Sequence, residues 1–259
     1  MQKNRVVVGD IVDIEKNEYD SGKYIINKIH QRKNYIPRPH IANIDKLLIV
    51  IAPKPAPDLL LVDKLILYAF INNIEPVIVL NKSDIVSEIL LEDIKKQYYF
   101  LKVIVISATN ESNIKEVKEY IKNSISAVCG QSAVGKSSLI NSLIPSLNLE
   151  TGELSQKIDR GKHTTRVNEL CLHDDIMIID TPGFSSLDID INHEDLEIYY
   201  PEFSEYLGTC KYLDCSHIGE GSDCKIISAM NSGVINKDRY NRFVELYKRL
   251  QEKWEKKYD

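Results

Sequence analysis

One eight-residue segment constrains the fold of this chain more than any other: residues 130–137 read Gly-Gln-Ser-Ala-Val-Gly-Lys-Ser. The apolar stretch from Ser124 to Cys129 precedes it and predicts a strand, while Ser137 to Leu143 predicts the start of an amphipathic helix. A glycine-containing loop between a strand and a helix lets backbone N–H groups and the helix N-terminus surround a polyphosphate. The sequence therefore predicts a phosphate loop on a mainly parallel α/β sheet.

The residue types in this loop indicate separate roles. Two glycines permit close backbone approach, Lys136 can reach the β- and γ-phosphates, where it would act in catalysis, and the Ser137 hydroxyl can bind Mg²⁺. A Gly/Ser turn that binds nothing is the alternative, and the flanking strand and helix argue against it. The predicted nucleotide-binding residues of the loop are Gly130, Gln131, Ser132, Ala133, Val134, Gly135, Lys136, Ser137 and Ser138.

The segment Asn81-Lys82-Ser83-Asp84 predicts which base is bound. It follows the apolar run from Pro76 to Leu80, which is typical of a buried parallel strand. The Asp84 carboxylate can accept hydrogen bonds from N1–H and the 2-amino group of guanine, whereas adenine lacks that amino group. Asn81 would hold the loop and the stem of Lys82 would cover the ring. Alone, this short match is also compatible with a solvated turn.

A second loop supports the guanine interpretation. Ser107 and Ala108 follow another apolar run, Val103 to Ile106, and a backbone N–H there can bind guanine O6. Downstream, Asp180-Thr-Pro-Gly183 follows the run Ile176 to Ile179, which places a carboxylate near Mg²⁺ and the Gly183 N–H near the γ-phosphate. The polar loop at 160–166 adds threonines that can bind Mg²⁺, and the sequence leaves open whether Thr164 or Thr165 does so.

The guanine-reading motif precedes the phosphate loop, an order that indicates a circularly permuted GTPase. In motifs and order the chain resembles the small-ribosomal-subunit-dependent circularly permuted GTPases of the RsgA type, which assist late subunit maturation. The resemblance spans nearly the whole chain, and its further motifs are Val8 to Val12, Arg38 to Asn43, Gly161 to Thr165, and Asp180 to Phe184. Ala133 departs from it, because the family often has glycine there, and the cysteine spacing near the end is one residue longer.

The resemblance implies an α/β fold class with three parts: an N-terminal OB-fold β-barrel, a circularly permuted P-loop GTPase domain and a small C-terminal helical zinc-binding domain. We expect these at residues 1–38, 39–187 and 188–259. The first 38 residues are predicted to hold strands at Arg5 to Ile14 and Tyr24 to His30, joined by a turn at 19–22. Because a five-stranded barrel needs more chain, we expect a partial OB-fold without its early strands.

Three cysteines and one histidine, Cys210, Cys215, His217 and Cys224, lie in a short polar stretch and predict one tetrahedral Zn²⁺. With four protein ligands, such a site would be structural. A reduced cluster of unrelated thiols is the alternative. From Asn236 onward a helix is predicted, with an apolar face that we expect to pack on this module. Five cysteines, an odd number, favour reduced thiols over a secreted disulfide framework.

The catalytic prediction turns on Phe184, which stands where many GTPases have a glutamine that orients the attacking water. Intrinsic hydrolysis is therefore expected to be slow. His163 is the best internal candidate to position water, and the family resemblance supports it, although a loop histidine can simply be exposed. The predicted catalytic residues are His163, Lys136 and Gly183, and the predicted Mg²⁺ ligands are Ser137, Thr164, Thr165 and Asp180.

A net charge of −5 argues against a general RNA-coating protein, so contact with ribosomal RNA is expected from local patches and shape. One candidate patch comprises Lys28, His30, Arg32, Lys33, Arg38 and His40, with a solvated loop as the alternative. The apolar runs are of strand length, which predicts no membrane segment. We expect a cytoplasmic monomer that binds GTP or GDP, Mg²⁺ and the small ribosomal subunit with its rRNA.

Competing functions belong to other classes. A metabolic P-loop kinase or ATPase would lack the guanine motif. A P-loop NTPase with a zinc-based RNA-binding module acting on another RNA or ribonucleoprotein would show RNA affinity without nucleotide dependence.

Overall fold

The computed structural model describes residues 5–17, 22–37, 40–147, 149, 169–180, 189–219 and 223–258. In these ranges the strands are β1 Val12–Lys16, β2 Tyr24–Ile29, β3 Tyr35–Pro37, β4 His40–Ala42, β5 Lys46–Ile51, β6 Glu75–Leu80, β7 Val103–Val105, β8 Ile125–Cys129, β9 Glu169–His173 and β10 Ile176–Asp180. The helices are α1 Leu59–Ile71, α2 Glu88–Gln97, α3 Ile114–Ile121, α4 Lys136–Leu143, α5 Lys225–Asn231 and α6 Lys237–Tyr258.

The N-terminal segment forms two antiparallel pairs, β1 with β2 and β3 with β4. The predicted strand from Arg5 to Ile14 is wrong at its start, because the chain turns at Gly9 and β1 begins only at Val12. Gly9 has φ +89°, and a Cβ there would lie 2.1 Å from the carbonyl oxygen of Ala42. Only glycine fits this close approach, and it interrupts the strand. The predicted turn at 19–22 lies largely outside the described residues.

A six-stranded sheet forms the centre, in the order β7-β6-β5-β8-β10-β9. Its strands run parallel except β9, which pairs antiparallel with β10. Residues 47–51, 77–80 and 126–129 are buried, as expected for strands covered on both faces. The predicted alternation of strands and helices, and with it the α/β fold class, is confirmed. No helix in the described ranges is both long and apolar enough to cross a membrane.

Helix α1 is apolar on two sides. Val62, Leu65, Ile66 and Ala69 pack into the core beneath the sheet. Leu67 lies in a different core, shared with the C-terminal residues, and Leu60 and Ile71 pack against that second core. Asp58 begins the helix, since its carboxylate accepts a hydrogen bond from the Leu61 N–H at 3.0 Å. A helix that is hydrophobic all round lies between two packed layers.

The C-terminal region is mainly helical, as predicted. The predicted apolar face of α6 is confirmed, because Tyr240, Phe243, Tyr247 and Leu250 are buried in a core that also contains Cys224, and Val244 packs against it. The sequence analysis missed α5 and the 3₁₀ helices His193–Tyr199 and Pro201–Phe203. These elements are short, so they carry too few turns for a hydrophobic period to stand out.

Candidate nucleotide site and metal centre

Neighbouring parallel strands bring the predicted nucleotide-binding segments to one edge of the sheet. Asn81 follows β6, Ser107 and Ala108 come shortly after β7, and Gly130 follows β8. Strands β6 and β8 flank β5, so the base-reading and phosphate loops lie on either side of it. Crevices at the carboxyl ends of parallel strands are the usual ligand sites of such sheets.

The buried side chain of Asn81 connects three of these loops. Its Nδ2 donates to the Val134 carbonyl at 2.9 Å, and its Oδ1 accepts from the Ala108 N–H at 3.0 Å. It is only 3 % exposed. Because a buried amide is costly without partners, these bonds fix the phosphate loop relative to the base-reading loops.

The two loop glycines are required by close contacts. A Cβ on Gly130 would lie 2.1 Å from the Val50 carbonyl oxygen, and one on Gly135 would lie 2.2 Å from Nδ2 of Asn81. Both residues have positive φ, +133° and +95°. Ala133 also has positive φ, +63°, although it carries a side chain. The phosphate loop therefore holds a left-handed conformation at a residue that does not favour it.

Asp84 is exposed, while Asn81, Ser107 and Ala108 are buried. The Ser107 hydroxyl donates to Asp84 Oδ1 at 3.2 Å, which orients the carboxylate. The Lys82 ammonium donates to the carbonyls of Lys54, at 2.6 Å, and Ala133, at 2.9 Å. The carboxylate that is predicted to read guanine is thus exposed, while the residues that hold its loop are buried.

Lys136 begins α4, and its ammonium crosses the loop to donate to the carbonyls of Gly130, at 3.0 Å, and Gln131. Gln131 Oε1 in turn accepts from the Asp58 N–H at 2.9 Å. Ser137 lies in the same first helical turn, where N–H groups lack intrahelical partners. Of the remaining predicted loop residues, Ser132 is exposed and Ser138 is half-buried.

Asp180 ends β10 and pairs in register with Val128 of β8, two residues before Gly130. Its backbone thus lies beside the strand that leads into the phosphate loop, while its side chain is outside the described part of the structure. His163, Thr164, Thr165, Gly183 and Phe184 are also outside the described residues.

The four predicted zinc ligands come together in the C-terminal region. Their ligand atoms all lie within 4.8 Å of one another. Cys210 Sγ lies 3.9 Å from Cys224 Sγ, and His217 Nδ1 lies 3.6 Å from Cys210 Sγ and 3.4 Å from Cys224 Sγ. Metal–sulfur bonds of about 2.3 Å in a tetrahedron place two sulfurs about 3.8 Å apart. The donor set and its spacing therefore fit one Zn²⁺.

Surrounding groups prepare these ligands for a cation. Burial lowers the pKa of His217, which favours the neutral ring, and Glu197 Oε2 lies 2.6 Å from its Nε2, leaving Nδ1 for the metal. Burial raises the pKa of the Cys224 thiol to about 12, so a thiolate there needs a positive partner. The N–H groups of Lys225 and Ile227 donate to Cys210 and Cys224 Sγ. The sequence analysis missed Glu197, which carries no spacing signal.

Three residues of the candidate rRNA patch are paired with carboxylates in the described part of the chain. Arg32 pairs with Asp10 at 2.6 Å, Lys33 with Asp45 at 2.8 Å, and His30 with Asp13 at 2.8 Å. The Tyr35 hydroxyl lies 2.6 Å from His40 Nδ1. Arg38 is outside the described residues. These acidic partners reduce the positive field that RNA would meet.

The sequence of this chain is similar to those of known proteins over nearly its whole length. The sequence model of the RsgA GTPase family matches residues 29–190. The small ribosomal subunit biogenesis GTPase RsgA of Caldanaerobacter subterraneus subsp. tengcongensis is 40% identical over 256 residues, which cover 97% of this chain and 86% of that protein. RsgA of Clostridium acetobutylicum is 41% identical over 252 residues, covering 94% and 85% of the two chains.

Two solved structures are also similar. YjeQ from Thermotoga maritima has a TM-score of 0.82 at 32% identity, with 96% of this chain and 86% of that chain covered. YloQ, described as a circularly permuted GTPase, has a TM-score of 0.78 at 26% identity, with 97% and 84% covered.

Proposed function

The chain belongs to the RsgA GTPase family, and from this we propose that it binds the small ribosomal subunit and assists its late maturation. It hydrolyses GTP to GDP and phosphate, the subunit raises its turnover, and hydrolysis drives its release. The observation that carries the proposal is the buried Asn81 amide, which bonds both Val134 of the phosphate loop and Ala108 of the base-reading loop. One side chain thereby couples recognition of guanine to the position of the phosphates.

The chain's own groups supply most of the proposed chemistry. Lys136 stabilises charge on the β- and γ-phosphates, and the Gly183 N–H contacts the γ-phosphate. Ser137, Asp180 and one of Thr164 and Thr165 offer the hard oxygen ligands that Mg²⁺ prefers. A Mg²⁺ ion held by these residues would supply positive charge that offsets the charge on the phosphates.

Water activation is the weak step in this arrangement. Phe184 cannot donate or accept a hydrogen bond through its side chain, so it cannot orient the attacking water. We propose that His163 does so when the chain is bound to the subunit. The chain acts as a cytoplasmic monomer. Its four Cys/His ligands would hold one structural Zn²⁺, which would stabilise the C-terminal region for binding to the subunit and its rRNA.

The test measures GTP turnover by the full chain alone and with purified small subunits, large subunits or bulk RNA. We expect strong stimulation by small subunits only, since the acidic chain lacks a broad RNA-binding charge. Lys136→Ala is the negative control. Its turnover should fall by roughly 10²-fold or more, as expected for loss of one preorganised donor. His163→Ala is expected to blunt the stimulation more than it weakens GTP binding.

Equal stimulation by all three additions would reduce the effect to nonspecific electrostatics and reject the maturation role. RNA affinity that ignores the nucleotide would instead favour a zinc-based RNA module on another ribonucleoprotein. A large loss of GTP affinity in His163→Ala would move that residue from catalysis to binding.

A further inference from the structure

A buried charge cluster joins α1 to the C-terminal helix α6. Asp63 of α1 has a fully buried side chain and forms ion pairs with both Arg239 and Arg242 of α6. Arg239 Nε also donates to Glu202 Oε1 at 2.6 Å, and the Tyr98 hydroxyl donates to Asp63 Oδ1 at 2.6 Å. Two carboxylates thus balance two guanidiniums where the side chains are at most 12% exposed.

Such a cluster resists separation. Removing Asp63 from its arginines would leave its buried carboxylate without a cation and Arg242 without a carboxylate, while Arg239 would keep only Glu202. Such a loss is far costlier than losing an exposed pair. The apolar contacts of Leu60, Leu67 and Ile71 with the C-terminal core lie on the same side of α1. Spacings of three and four residues place all of them, with Asp63, on one helical stripe. Helix α1 is therefore fixed to α6 by charge and by packing together.

The same assembly also contacts the metal centre. The 3₁₀ helix at 193–199 packs on both α1 and α6, and its Glu197 bonds the zinc ligand His217. The Tyr240 hydroxyl of α6 also donates to the His217 carbonyl at 2.8 Å. Packing and hydrogen bonds therefore connect α1 to the metal-binding region.

The start of α1 and the loop before it each contact one of the nucleotide loops. The Asp58 N–H donates to Gln131 of the phosphate loop, and the Lys54 carbonyl accepts from Lys82 of the guanine-reading motif. Asp58 and Asp63 are five residues apart, so about 7.5 Å of helix separates the phosphate-loop contact from the charge cluster. Each of these contacts with a nucleotide loop is a single, exposed hydrogen bond. The contacts at Asp58 and Lys54 are therefore easier to rearrange than the buried charge cluster.

We propose that α1 and the C-terminal helical region form one moving unit, which senses the occupant of the phosphate loop through Asp58 and Lys54. Movement of this unit depends on the proposed nucleotide binding, and it does not depend on binding to the ribosomal subunit. It gives the C-terminal region a connection to the nucleotide through α1 in addition to the chain that follows Asp180.

Hydrogen exchange tests the proposal on the full, zinc-loaded chain saturated with GDP or with the non-hydrolysable analogue guanylyl imidodiphosphate. We expect exchange in α1, in residues 193–203 and in residues 237–247 to differ between the two states in the same direction, by roughly fivefold or more, as for ordinary allosteric coupling. In Asp63→Asn, the difference at 237–247 should disappear while that at 59–62 and the affinity for either nucleotide persist.

Arg249→Met is the matched control, because Arg249 lies on the same helix and pairs only with exposed Glu245 among the described ion pairs. It should behave as wild type. If Asp63→Asn does not retain one zinc and a cooperative melt, Arg242→Gln carries the same test, since Arg242 is the more exposed arginine.

Two results would overturn the proposal. One is a wild-type C-terminal region whose exchange ignores the nucleotide. The other is a folded Asp63→Asn or Arg242→Gln protein whose C-terminal region still responds fully, which would assign the connection to the chain after Asp180. Neither result depends on ribosomal subunits, so the maturation role would stand or fall separately.

Discussion

The nucleotide edge of the sheet and the Cys/His centre are two sites built in opposite ways. Residues from Asn81 to Gly135 meet at the nucleotide edge because parallel strands carry them there. They stay in place through hydrogen bonds between the Asn81 side chain and backbone groups of the neighbouring loops. The four residues of the metal centre lie within fifteen positions of one another, in a stretch with little regular structure.

This difference separates what each site needs in order to exist. The sheet buries a large apolar core whatever its loops bind, so the nucleotide loops are preorganised. In the metal centre, burial raises the pKa of the Cys224 thiol to about 12, so we expect the local fold to need a cation that balances the thiolates. Losing the ligand should therefore unfold one site and spare the other.

The largest expected effect tests this directly. Cys215→Ser should release about one equivalent of zinc and unfold the ligand-bearing stretch, because structural zinc contributes on the order of 10 kcal/mol to folding. Binding of fluorescent GDP should remain within a few-fold of wild type. Metal analysis and nucleotide titration of protein purified without chelator provide the measurements.

Cys171→Ser is the matched control, since Cys171 lies on β9 away from the metal ligands and should leave the zinc content unchanged. Wild-type protein that contains no zinc would show that these four residues do not form a zinc site. Loss of nucleotide binding in Cys215→Ser would show that the two sites fold together.

The next effect concerns the preorganised site. Asp84→Asn turns an acceptor into a donor facing position 2 of the base, where guanine has an amino group and xanthine a carbonyl. Preference should change from GTP toward XTP, with GTP affinity lower by roughly 10²-fold or more. Competition between the two nucleotides measures it, and unfolding transitions should be nearly unchanged because Asp84 is exposed.

Asp93→Asn, an equally conservative change at an exposed residue of α2, should alter neither preference nor affinity. If Asp84→Asn binds GTP as wild type does, the base must be read elsewhere on this edge.

The sheet and its loops were predictable because their signals are local. Apolar runs of strand length precede Asn81, Ser107 and Gly130, and the general rule for parallel sheets brings their ends together. The same holds for the metal ligands, whose residue types and close spacing indicate a tetrahedral ion. Gly9 was the local signal that the first strand prediction overlooked.

The supporting contacts had no such signal. Asp63 and Arg239 are 176 positions apart, and no rule of spacing joins them. The one available hint was Asp63, which with Lys64 interrupts the apolar Leu59 to Leu67 stretch. An acidic residue there implies a buried partner without identifying it. Glu197 was equally hidden, because its role depends on the fold of a short 3₁₀ helix around His217.

A smaller effect sharpens the account of the metal centre. Glu197→Ala removes the carboxylate that orients His217, and loss of such an outer partner typically weakens metal binding by roughly 10- to 100-fold. Competition with a zinc chelator measures this, and Glu194→Ala in the same 3₁₀ helix is the control, since Glu194 contacts Asn192 instead. Equal zinc affinity in both variants would mean that the ligand set alone positions the ring.

The smallest effect tests whether the backbone conformation of the phosphate loop lowers the stability of the protein. Ala133 holds φ +63°, a conformation that costs a residue with a side chain about 1 kcal/mol or more, whereas glycine adopts it freely. Ala133→Gly should therefore raise the free energy of unfolding by about 0.5 kcal/mol, after subtracting the greater freedom of glycine in the unfolded chain. The Ala133 methyl is exposed and the carbonyl that accepts from Lys82 is retained, so no contact is lost.

Ala229→Gly, within helix α5, should change stability in the opposite direction because glycine is unfavourable there. Urea unfolding measures both, and a less stable Ala133→Gly protein would show that this loop is held by its side chains rather than strained by its backbone.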